Sequence, residues 1–292
     1  MTIGEIRCGL PVGTTAAAVP FTRPLPAVRL ATWGAPRRPP VSGALTITLL
    51  GGFSVTRDSR RADDAAWERR VAQRLVRFLL LRRDRAVSED EALETFWPDR
   101  RLDSARRSLH VAISRARRVL DAQDSQSVID ASDRVYHLRL RPADTVDADQ
   151  FEMTALAALG EPGSSRLRSL ELAAALWGGE PLPEERYTDW ALGWRERLCD
   201  LHVAVLAAIA DEYLRYGNLV AAGRRAAELV ELDPLNEGAH CRLMVAYARA
   251  GRRSQALRQF LDCRRALIEQ LGIEPSFETA RLQQRILSGE RV

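Results

Sequence analysis

The stretch SARRSLHVAISRARRVL, Ser104 to Leu120, carries five arginines and no acid in seventeen positions. With Leu109 at zero and 100° per residue, Leu102, Ala105, Ala112, Ile113, Ala116, Val119 and Leu120 fall within about 80° of it and form an inward face. Arg107, His110, Val111, Ser114, Arg115 and Arg118 lie opposite, with Arg117 at the edge. An arginine fork can bond O6 and N7 of guanine together, a serine hydroxyl suits several base edges, and an exposed valine can touch a thymine methyl. Flanking arginines can neutralise phosphates and fix the register. In an isolated helix the same residues would describe a solvated face, closed by the i,i+4 pairs Asp103–Arg107 and Arg117–Asp121. Placement in the fold decides between the two.

No other chemistry-bearing residues gather into a pattern. Cys8, Cys199, Cys241 and Cys263 form no C-x-x-C pair. Cys199, His202, His240, Cys241 and Cys263 follow no metal spacing and sit in helical patterns, which reads as small buried hydrophobes and satisfied histidines. There is no phosphate-binding glycine loop and no clustered His, Asp and Ser motif, so no catalytic residue, metal or cofactor is expected, and no enzyme. The cysteines fit a reducing cytoplasm, with the protein on the nucleoid. No apolar run approaches bilayer length, and the first twenty residues lead us to expect no secretory leader.

All 43 Lys+Arg residues are arginine. Folding physics does not require this, and a GC-rich coding sequence explains it, so only the placement of arginine is informative. Residues 1–43 carry five Arg and one acid, residues 44–141 twenty Arg and fifteen acids, and residues 142–292 eighteen Arg and twenty-three acids. A basic front and an acidic back imply different partners for the two parts.

The elements that must position the arginine stretch follow from texture. Residues 1–43 hold seven of the fourteen prolines and no periodicity, and read as a disordered arm. LTITLLGGFSVTRD alternates, breaks at Gly51–Gly52 and alternates again, a hairpin, with a further strand around Arg60–Ala65. ERRVAQRLVRFLLLRRD sets Val71, Leu75, Phe78, Leu79 and Leu81 at helical spacing. VSEDEALETFWPD pairs Ser88 with Glu91 as a capping box and stops at Pro98. The arginine helix, about Leu102 to Asp121, is the third, and SVIDASDRVYHLRL adds a hairpin around Ala131–Arg134. A small sheet, three helices and a hairpin within 44–141 make a winged helix-turn-helix, in which the third helix is the one placed in the major groove. Arg134 at the hairpin tip is then a candidate for a phosphate or minor-groove contact. Arg100 and Arg101, at the start of the third helix, suit backbone phosphates, since helix N-termini favour anions.

Residues 142–292 read as almost wholly helical. Tyr213, Gly217 and Ala222 recur as Tyr247, Gly251 and Ala256, 34 positions on, the period of tetratricopeptide repeats. An earlier pair around Phe151–Leu159 and Ser164–Trp177 supplies a third unit. The fold class is therefore mainly α with a small β component: a winged helix followed by an all-α tetratricopeptide-like domain.

These residues resemble the SARP family, the Streptomyces antibiotic regulatory proteins, over about residues 45 to 288. LLGGFSV is similar to that family's opening strand pair, and SARRSLHVAISRARRVL to its recognition helix. VDADQFE is similar to the start of its bacterial transcriptional activator domain, and LWGGEPL, Asp189–Trp190 and LGIEPS match later landmarks. The resemblance implies an OmpR-like winged helix and an activator domain. It also implies binding to direct repeats at promoters of biosynthetic genes, self-association on DNA, and recruitment of RNA polymerase through its sigma and alpha subunits. One departure is Val135–Tyr136 where the family's wing has Gly-Tyr. As in the family's short members, no ATPase module is expected after residue 292, and the arm lies outside the match. A helical scaffold whose basic domain binds a protein or RNA stands as the alternative.

Overall fold

The computed structural model describes residues 43–292 apart from Ser59, 63–66, 68–69 and 122–126. The proline-rich arm, and the end of the strand expected around Arg60–Ala65, lie outside the described residues. The described residues divide into two compact units: residues 43–150 with 178–198, and residues 151–177 with 199–292.

In the first unit, β1 (Leu45–Thr48) points Leu45 and Ile47 inward by strand alternation and pairs antiparallel with β2 (Ser54–Arg57), Leu45 opposite Arg57. The short β3 (Arg60–Arg61) adds to β2, and β7 (Thr145–Val146) pairs parallel with β1 from the other side, giving the order β3-β2-β1-β7. α1 (Arg70–Leu81) buries Leu75, Val76, Phe78, Leu79 and Leu80. Val71 and Leu81, expected on that face, are half-buried. β4 (Val87–Ser88) leads into α2 (Glu89–Phe96), and α3 (Leu102–Leu120) follows. β5 (Ile129–Ser132) and β6 (Val135–Leu138) form the hairpin, and β4 completes a second sheet, β4-β6-β5.

Ser88 caps α2, its Oγ accepting from the Glu91 N–H at 3.1 Å. The reciprocal half of the capping box is replaced, because the Glu91 carboxylate accepts from Arg82 and Arg85. The Arg85 hydrogen bonds hold that carboxyl below the usual carboxylate range. The hairpin turn is two residues, Asp133 and Arg134, both left-handed with φ of 50° and 61°. This is the turn whose twist suits two strands joined so tightly, and here it is built without glycine.

Residues 178–198 pack in this same unit. The Gly51 N–H donates to the Glu180 carbonyl at 2.9 Å, Leu182 N–H to Leu49 at 2.8 Å, and Phe53 N–H to the Glu184 carboxylate at 2.9 Å. Gly51 has φ of +78°, and a Cβ there would drive into the carbonyl oxygen of Gly178, so Gly51 together with Gly178 and Gly179 permits a close backbone approach. The 3-10 turn Pro183–Glu185 delivers Glu185 to Arg77, and Trp190 meets Phe78 edge-on with centroids 5.5 Å apart.

The second unit is helical: most of α4 (Asp147–Gly160), α5 (Arg166–Ala175), most of α6 (Asp189–Arg215), α7 (Leu219–Leu232), α8 (Glu237–Arg249), α9 (Arg253–Leu271) and α10 (Phe277–Ser288). The 34-residue period appears as matching helix ends. Gly217 and Gly251 follow α6 and α8 with φ of 74° and 73°, and α7 and α9 begin at Leu219 and Arg253. Ala222 and Ala256 are buried where the helices pack, while α4 and α5 occupy the place of the earlier pair. The mainly α architecture, winged helix followed by tetratricopeptide-like helices, is the one expected from the sequence.

Candidate nucleic-acid interface

α3 is positioned by its apolar face. Leu109, Ala105, Ala112, Ile113, Ala116 and Leu120 are buried, and Leu109 is fully enclosed. Val119 is half-buried, and Leu102 departs from the helical-wheel reading at 52% exposed. Leu102 is the first residue of the helix, where the chain has not yet met the core, so angular position alone does not bury it.

The opposite face is open. Arg107, His110, Val111, Ser114 and Arg118 are exposed, with Val111 at 44%, and Arg115 is half-buried. Arg117 is placed differently: its Nε and Nη2 both donate to the Ile129 carbonyl, at 2.9 and 2.8 Å, so its fork ties α3 to β5. The Asp121 carboxylate accepts from Ser127 Oγ and from the Val128 N–H, closing the other side of the same junction.

At the start of α3, Arg101 is exposed at the N-cap, with no side-chain cap, and its carbonyl accepts from Ser104 and Ala105. Arg100 lies along the helix with Nη1 donating to Ser108 Oγ at 3.2 Å. Two cations at a helix N-terminus oppose the positive end of the helix dipole, a cost that an anion placed there would relieve. Arg134 is exposed at the wing tip, and its carbonyl accepts from the Glu89 N–H at 2.8 Å.

Sequence reasoning missed Glu89 and Arg106. Glu89 opens α2 and is 5% exposed, and its Oε1 accepts from Arg106 Nε at 2.7 Å. Its Oε2 stands 4.0 Å from His110 Nε2. Arg106 sits about 60° from Leu109 on the wheel, too near the core to count among the outward arginines. The available signal was an acid placed directly after the Ser88 cap, ahead of a helix rich in arginine.

The histidines and cysteines of the second unit are occupied in packing. His202 stacks on Trp177, centroids 4.2 Å apart and planes 5° from parallel, with Phe151 also against both rings. Burial, then the charge of Arg225, pushes His202 down to about 4. His240 bonds the Pro234 carbonyl and Gln259, and Cys241 lies 3.4 Å from Thr279 Oγ1. Burial pushes Cys263 up to about 12 and also raises Cys241. Among the described residues no group of three or more His, Cys, Asp and Glu is placed to hold a metal, and no helix is long and apolar enough to cross a membrane.

Two family models match the chain: "Transcriptional regulatory protein, C terminal" over residues 70–135 and "Bacterial transcriptional activator domain" over residues 146–287. Regulatory protein AfsR of Streptomyces griseus is 29% identical over 268 residues, covering 91% of this chain and 27% of that protein. Transcriptional regulatory protein EmbR of Mycobacterium tuberculosis is 27% identical, covering 85% and 64%, and regulatory protein DnrI of Streptomyces peucetius 27% identical, covering 76% and 85%. The chain thus spans about a quarter of AfsR and under two thirds of EmbR. The structure of M. tuberculosis EmbR in complex with a low affinity phosphopeptide shares the fold, with a TM-score of 0.71 at 24% identity over 85% of this chain and 66% of that one.

An OmpR-type winged helix joined to a bacterial transcriptional activator domain is the class these units define. The two models and these relatives together support the SARP family for this chain.

Proposed function

We propose that this chain is a sequence-specific DNA-binding transcriptional activator. α3 enters the major groove, where Arg107, His110, Val111, Ser114, Arg115 and Arg118 face base edges and the adjoining phosphates. Arg101 takes a phosphate at the start of α3, and Arg134 reaches the backbone or minor groove from the wing. Arg117 contributes by holding α3 against β5. The carrying observation is the outer face of α3: five exposed residues that donate, accept or present a methyl group, on the helix that a winged helix-turn-helix offers to DNA.

The likeness to the SARP family supports the finer reading. The targets are direct repeats at promoters of secondary-metabolite genes, bound by more than one copy, with the helical unit presenting a surface to the sigma and alpha subunits of RNA polymerase. The protein works in the cytoplasm, on the nucleoid. Mobility-shift and protection mapping of the promoters beside its gene, over a salt series, tests this. Protected direct repeats with a steep salt dependence are expected. No retardation of any promoter fragment would overturn the reading in favour of a helical scaffold.

A further inference from the structure

We propose that Glu89 is a positioning residue that sets how selectively α3 reads DNA, by withholding Arg106 from phosphates and joining α3 to the wing; this rests on the DNA-binding function proposed above. Glu89 is almost fully enclosed, unusual for a carboxylate unless it is paired. Three contacts leave it. Its Oε1 accepts from Arg106 at 2.7 Å, its Oε2 stands 4.0 Å from His110 Nε2, and its N–H donates to the Arg134 carbonyl at 2.8 Å. One residue therefore touches the flank of the reading helix, one member of its outward face, and the turn of the wing.

The electrostatic consequence concerns specificity. Arginines that reach phosphates strengthen binding to every sequence alike. Arg106 lies on the flank of α3, between the buried face and His110 one turn on, and its guanidinium is turned to Glu89. The carboxylate removes one cation from the non-specific pool and sets a fixed negative charge behind the helix. DNA that docks without the base contacts of α3 gains less from such a surface. The backbone bond to Arg134 adds geometry, because the wing turn and α3 are then fixed to the same residue at the head of α2.

The test uses the full chain and two probes: the duplex most enriched by the wild type from a random pool, and a scrambled duplex of equal composition. Glu89→Gln keeps the side-chain shape, an acceptor oxygen and the backbone bond, but removes the negative charge that holds Arg106. It is expected to raise affinity for the scrambled duplex several-fold, steepen its salt slope by about one phosphate contact, and lower the enriched-to-scrambled ratio about tenfold. Adding Arg106→Met should abolish the extra slope. Parallel loss on both probes with a lowered unfolding temperature and unchanged slope would mark a merely structural role and overturn the proposal. Arg106→Met alone, which needs no folded Glu89 variant, should leave the scrambled-duplex slope at the wild-type value; a shallower slope would mean that Arg106 already meets phosphate, and would also overturn it. If the wild type enriches no sequence, the DNA-binding reading falls and takes this inference with it. Enrichment with an unchanged ratio in Glu89→Gln removes this inference alone.

Discussion

Arg77 and Glu185 form a buried ion pair across 108 positions of sequence, Nη1 to Oε1 at 2.6 Å, with side chains 7% and 1% exposed. The Arg77 guanidinium also lies over the ring of Phe53 at 4.9 Å, and Arg74 and the Thr188 hydroxyl bond the same carboxylate. Removing one member of such a pair strands the other charge in the interior. Glu185→Ala is therefore expected to destabilise the protein by roughly 3–5 kcal/mol in urea unfolding. Arg77→Met with Glu185→Leu should recover most of that loss. A single-variant loss below about 1 kcal/mol, the range of exposed pairs, would show that the pair does not hold residues 178–198 in place.

Two glycines with similar backbones should respond differently to alanine. Gly217 has φ of +74° and open space around it, so Gly217→Ala should cost only the left-handed strain, about 1–2 kcal/mol. Gly51 has φ of +78° and also meets the carbonyl of Gly178, so Gly51→Ala adds a backbone collision and should cost clearly more. Thermal unfolding of the two variants, with equal losses as the contrary result, checks this.

Much of α3 was legible because Leu109 and its neighbours repeat at the helical period, and the tetratricopeptide units because glycine and alanine recur after 34 residues. Ser88 was legible as a cap, since a cap is a local bond. Leu102 was not, because burial at a helix start depends on where the chain arrives from. The parallel pairing of β7 with β1, Thr145 opposite Thr46, joins residues nearly a hundred positions apart, and β7 is a two-residue piece that carries no pattern. Glu89 with Arg106, and Gly51 with Gly178, are likewise contacts between elements. Arg117 was legible as basic and at the edge, but its partner is a backbone carbonyl, which has no signature in sequence.

On DNA, the arginines of the interface should separate by role. Arg107→Ala and Ser114→Ala should each weaken enriched-site binding by about 1–3 kcal/mol with little effect on scrambled duplex. Arg101→Ala should weaken both probes and reduce the salt slope by about one contact. Arg117→Met should act mainly on stability, at about 1.5 kcal/mol for the lost charged hydrogen bonds. Binding isotherms on both probes, with unfolding curves, distinguish these; identical profiles for Arg107 and Arg101 would remove the division between base and phosphate contacts.

His202 links stability to pH. Its folded-state value, about 4, lies below the ordinary 6.5, so the unfolded chain takes up the proton first as pH falls. The stability tied to neutral His202 is complete above about pH 6.5 and declines between there and about pH 4, by roughly 3 kcal/mol in all. Urea unfolding at pH 7.5, 5.5 and 4.5 should show this decline, and His202→Phe should flatten it by about that amount. An unchanged pH profile in the variant would contradict the buried neutral imidazole.

Residues 178–198 share a compact unit with the winged helix although residues 151–177 intervene in the chain. The winged helix is therefore not a detachable cassette. A graft that swaps residues 44–141 between relatives would leave Arg77, Phe78 and Gly51 facing foreign partners, so exchange of this unit by recombination must carry two separated pieces of gene together. On the DNA-binding function proposed above, changes confined to the outer face of α3 would avoid that constraint, which would make point substitution there the easier route to a new operator.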